Sequence, residues 1–221
     1  MLDRVFQILK WPVAFASVAL FPGLVLASLD LLGQIARQPA ALKFFGLGAL
    51  SYVLVWHFLF RGRITGSFFP TFEHELSHAI FAWLSLHRVR GFKATWSRGG
   101  HIRFEGRGNW LITIAPYYFP TLAIPAAVLH HFFSKELGFW SSGLLGASVA
   151  YHLISNWKET HRGQTNLREV GFAFCFLFLP TANLLVFSGL LAFAFAGLPA
   201  IDAFVWEAVQ ISESLWYSWT S

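Results

Sequence analysis

The chain has 221 residues, of which 56% are hydrophobic, 18% aromatic and only 12% charged. Soluble domains carry roughly twice that share of charge, disordered chains have far less hydrophobicity, and a single cysteine, Cys175, excludes a disulfide scaffold. A mean hydropathy of +0.54 points to a polytopic membrane protein. The net charge of +5 sits in short loops between apolar runs, where it sets topology, so no nucleic-acid partner is expected.

The N-terminal stretch MLDRVFQILKWP has few basic residues and no small-residue cleavage site at the proper distance, so it reads as a signal anchor. Residues 11–29 carry no charge and suffice to cross a hydrocarbon core of about 30 Å. A second span, 44–60, ends sharply at Arg61 and Arg63. A third, 64–86, is apolar on both flanks but holds Glu73, His74, Glu75 and His78 in its middle. Ionisable groups at that depth cost about 2.5–3.5 kcal/mol each on insertion scales, so they need a reason to be there.

The polar stretch 87–108 alternates apolar and polar residues around Gly99-Gly100 and reads as a β-hairpin. Spans four and five occupy 109–134 and 137–157, separated by Lys135 and Glu136. Pro116, Pro120 and Pro125 loosen the fourth, and Tyr117 and Tyr118 read as packing or interfacial residues. His57, His130 and His131 near span ends read the same way. Residues 170–201 are uncharged and read as one long helix from about 170 to 196, bent at Pro180. After it, 201–220 combines apolar residues at helical spacing with Trp206, Trp216, Tyr217 and Trp219, the pattern of an interfacial helix.

The expected fold is therefore an all-α polytopic membrane protein. It has about six transmembrane helices, a small β-hairpin insert between spans three and four, and one membrane-embedded domain over 1–221. Six spans place eleven of the 16 Lys and Arg on the side of the 87–108 and 158–169 loops, against Arg4, Lys10, Arg61, Arg63 and Lys135 on the other. The positive-inside rule then predicts a cytoplasmic hairpin and both termini outside.

His74-Glu75-Leu76-Ser77-His78 is an HExxH motif. On a helix, positions i and i+4 share a face, so both imidazoles can grip one metal ion, with Glu75 beside the open coordination position as general base. Zinc suits two neutral imidazoles. Chance supplies about 0.01 such motifs in a chain of this composition, so coincidence is a poor account of it. A catalytic zinc takes a third protein ligand, and no aspartate occurs between Asp30 and Asp202. His152, Glu159, His161, Asn166 and Glu169 remain as options.

The string FEHELSHAIFAWLSL, the β-like insert and a following span that opens NWLITIAPYYFPTLAIP resemble the intramembrane zinc proteases of the site-2 protease family. The likeness is to the small branch without PDZ or CBS domains, and it covers about residues 64–190, the expected catalytic core. It implies His74 and His78 as zinc ligands, Glu75 as the base, and a transmembrane protein or peptide as substrate. It also implies a multi-pass protein of the lipid bilayer, with the bacterial inner (plasma) membrane as its expected location. Asn166, in Gln164-Thr165-Asn166, stands where the family carries its aspartate ligand, with His161 or Glu159 as substitutes. Asn183, in Pro180-Thr181-Ala182-Asn183, resembles the family's substrate-binding asparagine and equally suits a role joining two helices. The uncharged Asn166 also fits a pseudoprotease that holds membrane helices without cutting them. A membrane protease of another type, with Glu159 as third ligand, is a further reading.

Overall fold

A computed structural model describes residues 2–60, 68–96, 99–160 and 163–220. The chain is 83% helical. In order it forms α1 (Leu2–Arg37), α2 (Lys43–Val55, prolonged by a π turn over Trp56–Phe60), α3 (Phe68–Leu84), β1 (Val89–Ala94), β2 (Gly100–Phe104), α4 (Trp110–Ile114), α5 (Ala123–Glu159), α6 (Thr165–Val170), α7 (Phe172–Ala196) and α8 (Leu198–Thr220). The two strands pair antiparallel as the expected hairpin.

Helix α5 doubles back at Leu137, whose backbone leaves the helical region. The His130 ring nitrogen Nδ1 lies 2.9 Å from Ser141 Oγ. In an unbroken helix eleven residues rise about 16 Å, so that contact requires two antiparallel halves, as spans four and five were expected to be. Upstream, Pro116 and Pro120 break the fourth expected span into α4, a single 3₁₀ turn over Ala115–Tyr117, and the start of α5. The expected continuous helix from 170 is interrupted at Gly171, whose φ of +99° only glycine adopts freely. That break lets α6 leave the axis of α7 and carry Asn166 inward.

Helices α1 and α7 run parallel, joined where Thr181 Oγ1 donates to Ser17 O and Ser28 and Ser188 share a hydrogen bond, while Lys10 Nζ donates to Val170 O at the end of α6. Helix α8 packs lengthwise and antiparallel on α1, with Ser212 beside Gly23 and Phe204 in one apolar cluster with Leu24, Ala27 and Leu31. The helix expected to lie at the interface thus joins the bundle. Three helical stretches, Leu2–Arg37, Pro39–Leu59 and Phe172–Ala196, are long and apolar enough to cross a membrane. Among the described residues the other stretches expected to span do not reach that mark by length and apolarity; α3 has 17 residues and carries the buried Glu73, Glu75 and His78.

One sequence expectation fails. Asp3 Oδ1 lies 2.8 Å from His87 Nε2 and accepts from Asn109 Nδ2 at 3.0 Å. The first turn of α1 therefore sits at the root of the hairpin, not across the membrane from it. The error came from assuming strict alternation of spans. Helix α3 descends toward the end where α1 begins, as α2 does, because its C-terminal residues meet Asp3 through His87.

Candidate metal centre

Seven residues of α3 are buried: Glu73, Glu75, Ser77, His78, Ala79, Phe81 and Ala82. Phe81 and Ala82 enter a cluster with Trp110, Ile112, Tyr117 and Phe174. The polar members are each tied to a neighbouring element. Ser77 Oγ donates to Glu73 O and shares a 2.5 Å hydrogen bond with Thr121 Oγ1. Glu73 Oε1 accepts from the Leu122 backbone N–H at 3.2 Å and lies 3.6 Å from His152 Nδ1. Sequence reasoning offered His152 as a third ligand; its imidazole, 2% exposed, faces Glu73 instead.

The HExxH spacing places both motif histidines on the face of α3 turned to α4 and α6. His78 Nδ1 donates to Ile112 O at 2.7 Å, which fixes the tautomer and leaves Nε2 with its lone pair free to bind. The Ile112 carbonyl is itself held in place. Asn109 caps α4, its Oδ1 accepting from the N–H groups of Leu111 and Ile112 at 3.1 and 3.2 Å.

Asn166 completes the convergence. Its Nδ2 stands 3.3 Å from His74 Nε2 and 3.1 Å from His78 Nε2. The two ends of a carboxamide exchange by a half-turn, which presents Oδ1 to the same point. Two imidazole nitrogens and one amide oxygen then surround one position, a donor set that zinc accepts although it lacks a carboxylate's charge. Among the described residues no group of three or more His, Cys, Asp or Glu side chains is placed to hold a metal ion. His161, the alternative third ligand, lies outside the described residues, as does the side chain of Glu159. Glu169 is exposed and lines a separate cavity with Gln7 and Lys10.

The hairpin lies along α3. A Cβ placed on Gly100 would stand 2.5 Å from Glu75 Cγ and 2.9 Å from Thr71 Cγ2, so the β2 backbone rests on the motif glutamate. Phe72 packs edge-to-face on Phe92, and Trp96 stacks on Phe68, extending the seat to the first turn of α3.

Two site residues escaped the sequence reading. Tyr117, 1% exposed, sets its ring edge-to-face against His74 with centroids 5.5 Å apart. Its carbonyl accepts from Asn156 Nδ2 at 2.7 Å and Asn183 Nδ2 at 3.0 Å. Asn156 also donates to Asn183 Oδ1. Asn183 thus joins helices, the second of its two expected roles, while also lining an apolar cavity of about 710 Å³ with Leu167, Leu179 and Pro180. Only the proline breaks near Tyr117, which force irregular backbone beside the motif helix, marked that segment in the sequence.

Three helices long and apolar enough to cross a membrane, together with a helix that carries a largely buried HExxH motif, fit a membrane protein of peptidase type. A family model described as peptidase M50B-like matches residues 45–214, and the chain belongs to that family. The resemblance read from the sequence agrees with this membership. No curated protein and no solved structure matches the chain.

Proposed function

We propose that the chain is an intramembrane zinc metalloprotease, a multi-pass protein of the bacterial plasma membrane that hydrolyses peptide bonds in membrane-spanning substrates. The observation that carries the reading is the meeting of His74 Nε2, His78 Nε2 and the Asn166 amide within 3.3 Å, on the helix that bears Glu75. Membership of a peptidase family supports it. His74, His78 and Asn166 would hold the metal, which when bound lowers the pKa of water to about 7 and polarises a carbonyl. Glu75 takes the proton of the attacking water and returns it to the leaving amine. Tyr117 holds the His74 ring, and Ile112 O orients that of His78. The apolar cavity beside Leu167, with Asn183 in its wall, gives an unwound substrate segment a place near Asn166.

Six spans fit this reading when the 123–136 and 138–159 halves of α5 and the α3 segment accompany the three apolar helices. A second reading, a pseudoprotease that binds membrane helices, rests on Asn166 alone, because a neutral amide holds zinc less firmly than a carboxylate. Metal analysis of purified protein separates the two. The protease reading expects one zinc per chain in wild type, little in His78→Ala, and tighter binding in Asn166→Asp. A wild-type chain purified without zinc that also fails to take it up supports the pseudoprotease.

A further inference from the structure

We infer that the first three turns of α1 brace the metal centre, with Asp3 and Lys10 as positioning residues; this rests on the metalloprotease reading. Helix α1 precedes residue 45, where the family match begins, yet three of its groups reach three elements that carry the site. Asp3 Oδ1 accepts from Asn109, the cap whose side chain fixes the Ile112 backbone and, through Ile112 O, the His78 ring. The same oxygen meets His87 Nε2 at 2.8 Å, while His87 Nδ1 donates to Glu105 O at 2.6 Å. Asp3 thus ties together both roots of the hairpin whose Gly100 rests on Glu75. The Phe6 carbonyl accepts from Trp110 Nε1 at 2.6 Å, pinning the first residue of α4. Lys10 Nζ donates to Val170 O at 2.6 Å, the last residue of the short helix that carries Asn166.

These contacts decide geometry because the braced elements are short. Helix α4 has five residues and α6 has six, both below the length at which a helix holds itself together. Each depends on what grips its ends. Gly171 lets α6 swing relative to α7, and Lys10 grips α6 on the near side of that hinge. A cavity of about 140 Å³ lined by Gln7, Lys10, Asn109, Thr113 and Glu169 lies beside the apolar cluster of Phe6, Trp110, Val170 and Phe174, so the hydrogen bonds add direction to packing that is itself non-directional.

The test uses the full chain with Cys175 replaced by serine, purified as wild type, Asp3→Ala, Asp3→Asn, Lys10→Met and Lys10→Arg. Two readouts are taken: zinc affinity by chelator competition, and maleimide labelling of a cysteine at Ala94, on the inner face of the hairpin. Lys10→Met should weaken zinc about tenfold, the scale of outer-sphere changes at metal sites, and Lys10→Arg should restore it because it still donates to Val170 O. Asp3→Ala should speed labelling at position 94 severalfold, with Asp3→Asn in between and serving if the alanine variant does not fold. Zinc affinity and labelling both within twofold of wild type would overturn the brace. Should wild type bind no zinc, the protease reading fails, and the labelling arm alone decides the Asp3 half of the brace.

Discussion

Replacing Gly100 with alanine tests whether the hairpin is seated on the glutamate assigned as base. The added methyl would stand 2.5 Å from Glu75 Cγ, 2.7 Å from Lys93 O and 2.9 Å from Thr71 Cγ2. All three are far inside the roughly 3.5–4.0 Å of comfortable carbon contact. Lys93 O belongs to the strand paired with that of Gly100, so it cannot retreat without opening the ladder. The Glu75 side chain can turn aside, but only by leaving its place on the motif helix. Overpacking of this kind costs about 1–3 kcal/mol. Expressed in the catalytic arrangement, that cost lowers kcat/KM about 5- to 150-fold. Cleavage of a single-pass reporter co-reconstituted in liposomes measures it, alongside zinc content. Zinc should be retained, because the nearest neighbours of the new methyl are Glu75, Lys93 and Thr71, not His74, His78 or Asn166. A variant that cleaves within twofold of wild type would refute the seating of the hairpin on Glu75.

Glu75→Gln should keep zinc and fold while lowering cleavage on the order of 10²-fold or more, since glutamine matches the shape but takes no proton; an unchanged rate removes Glu75 from the role of base. Asn166→Asp should tighten zinc and Asn166→Ala loosen it in a chelator titration, with no loss of fold. Glu73→Ala leaves the Leu122 N–H without its acceptor and should lower stability by about 1–3 kcal/mol, read as a fall in the thermal midpoint in detergent. With Asp3 bonded to His87, cysteines placed at Arg4 and Arg103 should label from the same side of the membrane, and labelling from opposite sides would contradict the fold.

The sequence made the motif helix legible because HExxH is local: four residues and one helical period put both imidazoles on one face. The hairpin was equally local, written in alternation around Gly99-Gly100 and confirmed by the pairing of Ala94 with Gly100. Asn166 came from the family resemblance, as the residue standing in place of the aspartate, and the structure brings it to the two histidines. What was not legible depended on long-range direction. The path of α3 toward the start of α1 leaves no mark in hydropathy, so counting spans put Asp3 on the wrong side. The turn at Leu137 was visible as two charges, but the partnership of Glu73 with His152 was not, since 79 residues separate them and either could serve as a ligand. Tyr117 read as packing because its contribution is a carbonyl and a ring edge, neither of which is specific to sequence.

Moving the start of α1 beside the hairpin strengthens the charge argument that first misplaced it. Arg4 and Lys10 join Arg88, Arg90, Lys93, Arg103, Arg107, Lys158 and Arg168 at one end, while among the described residues Arg37, Lys43 and Lys135 occupy the other. By the positive-inside rule the richer end is expected to face the cytoplasm. Lys93 pairs with His101 and Gly91 with Arg103, on the side away from α3, and Lys93, His101 and Arg103 are exposed. Gly100 touches Glu75, so the charges of Lys93 and Arg103 lie within about 10 Å along the strand of Glu75. In hydrocarbon each would cost roughly 2.5–3.5 kcal/mol. The outer face of the hairpin is therefore expected to border water, while its inner face rests on Glu75. A membrane-spanning substrate would meet the site near the cytoplasmic end of its helix, where unwinding exposes the fewest backbone groups to lipid.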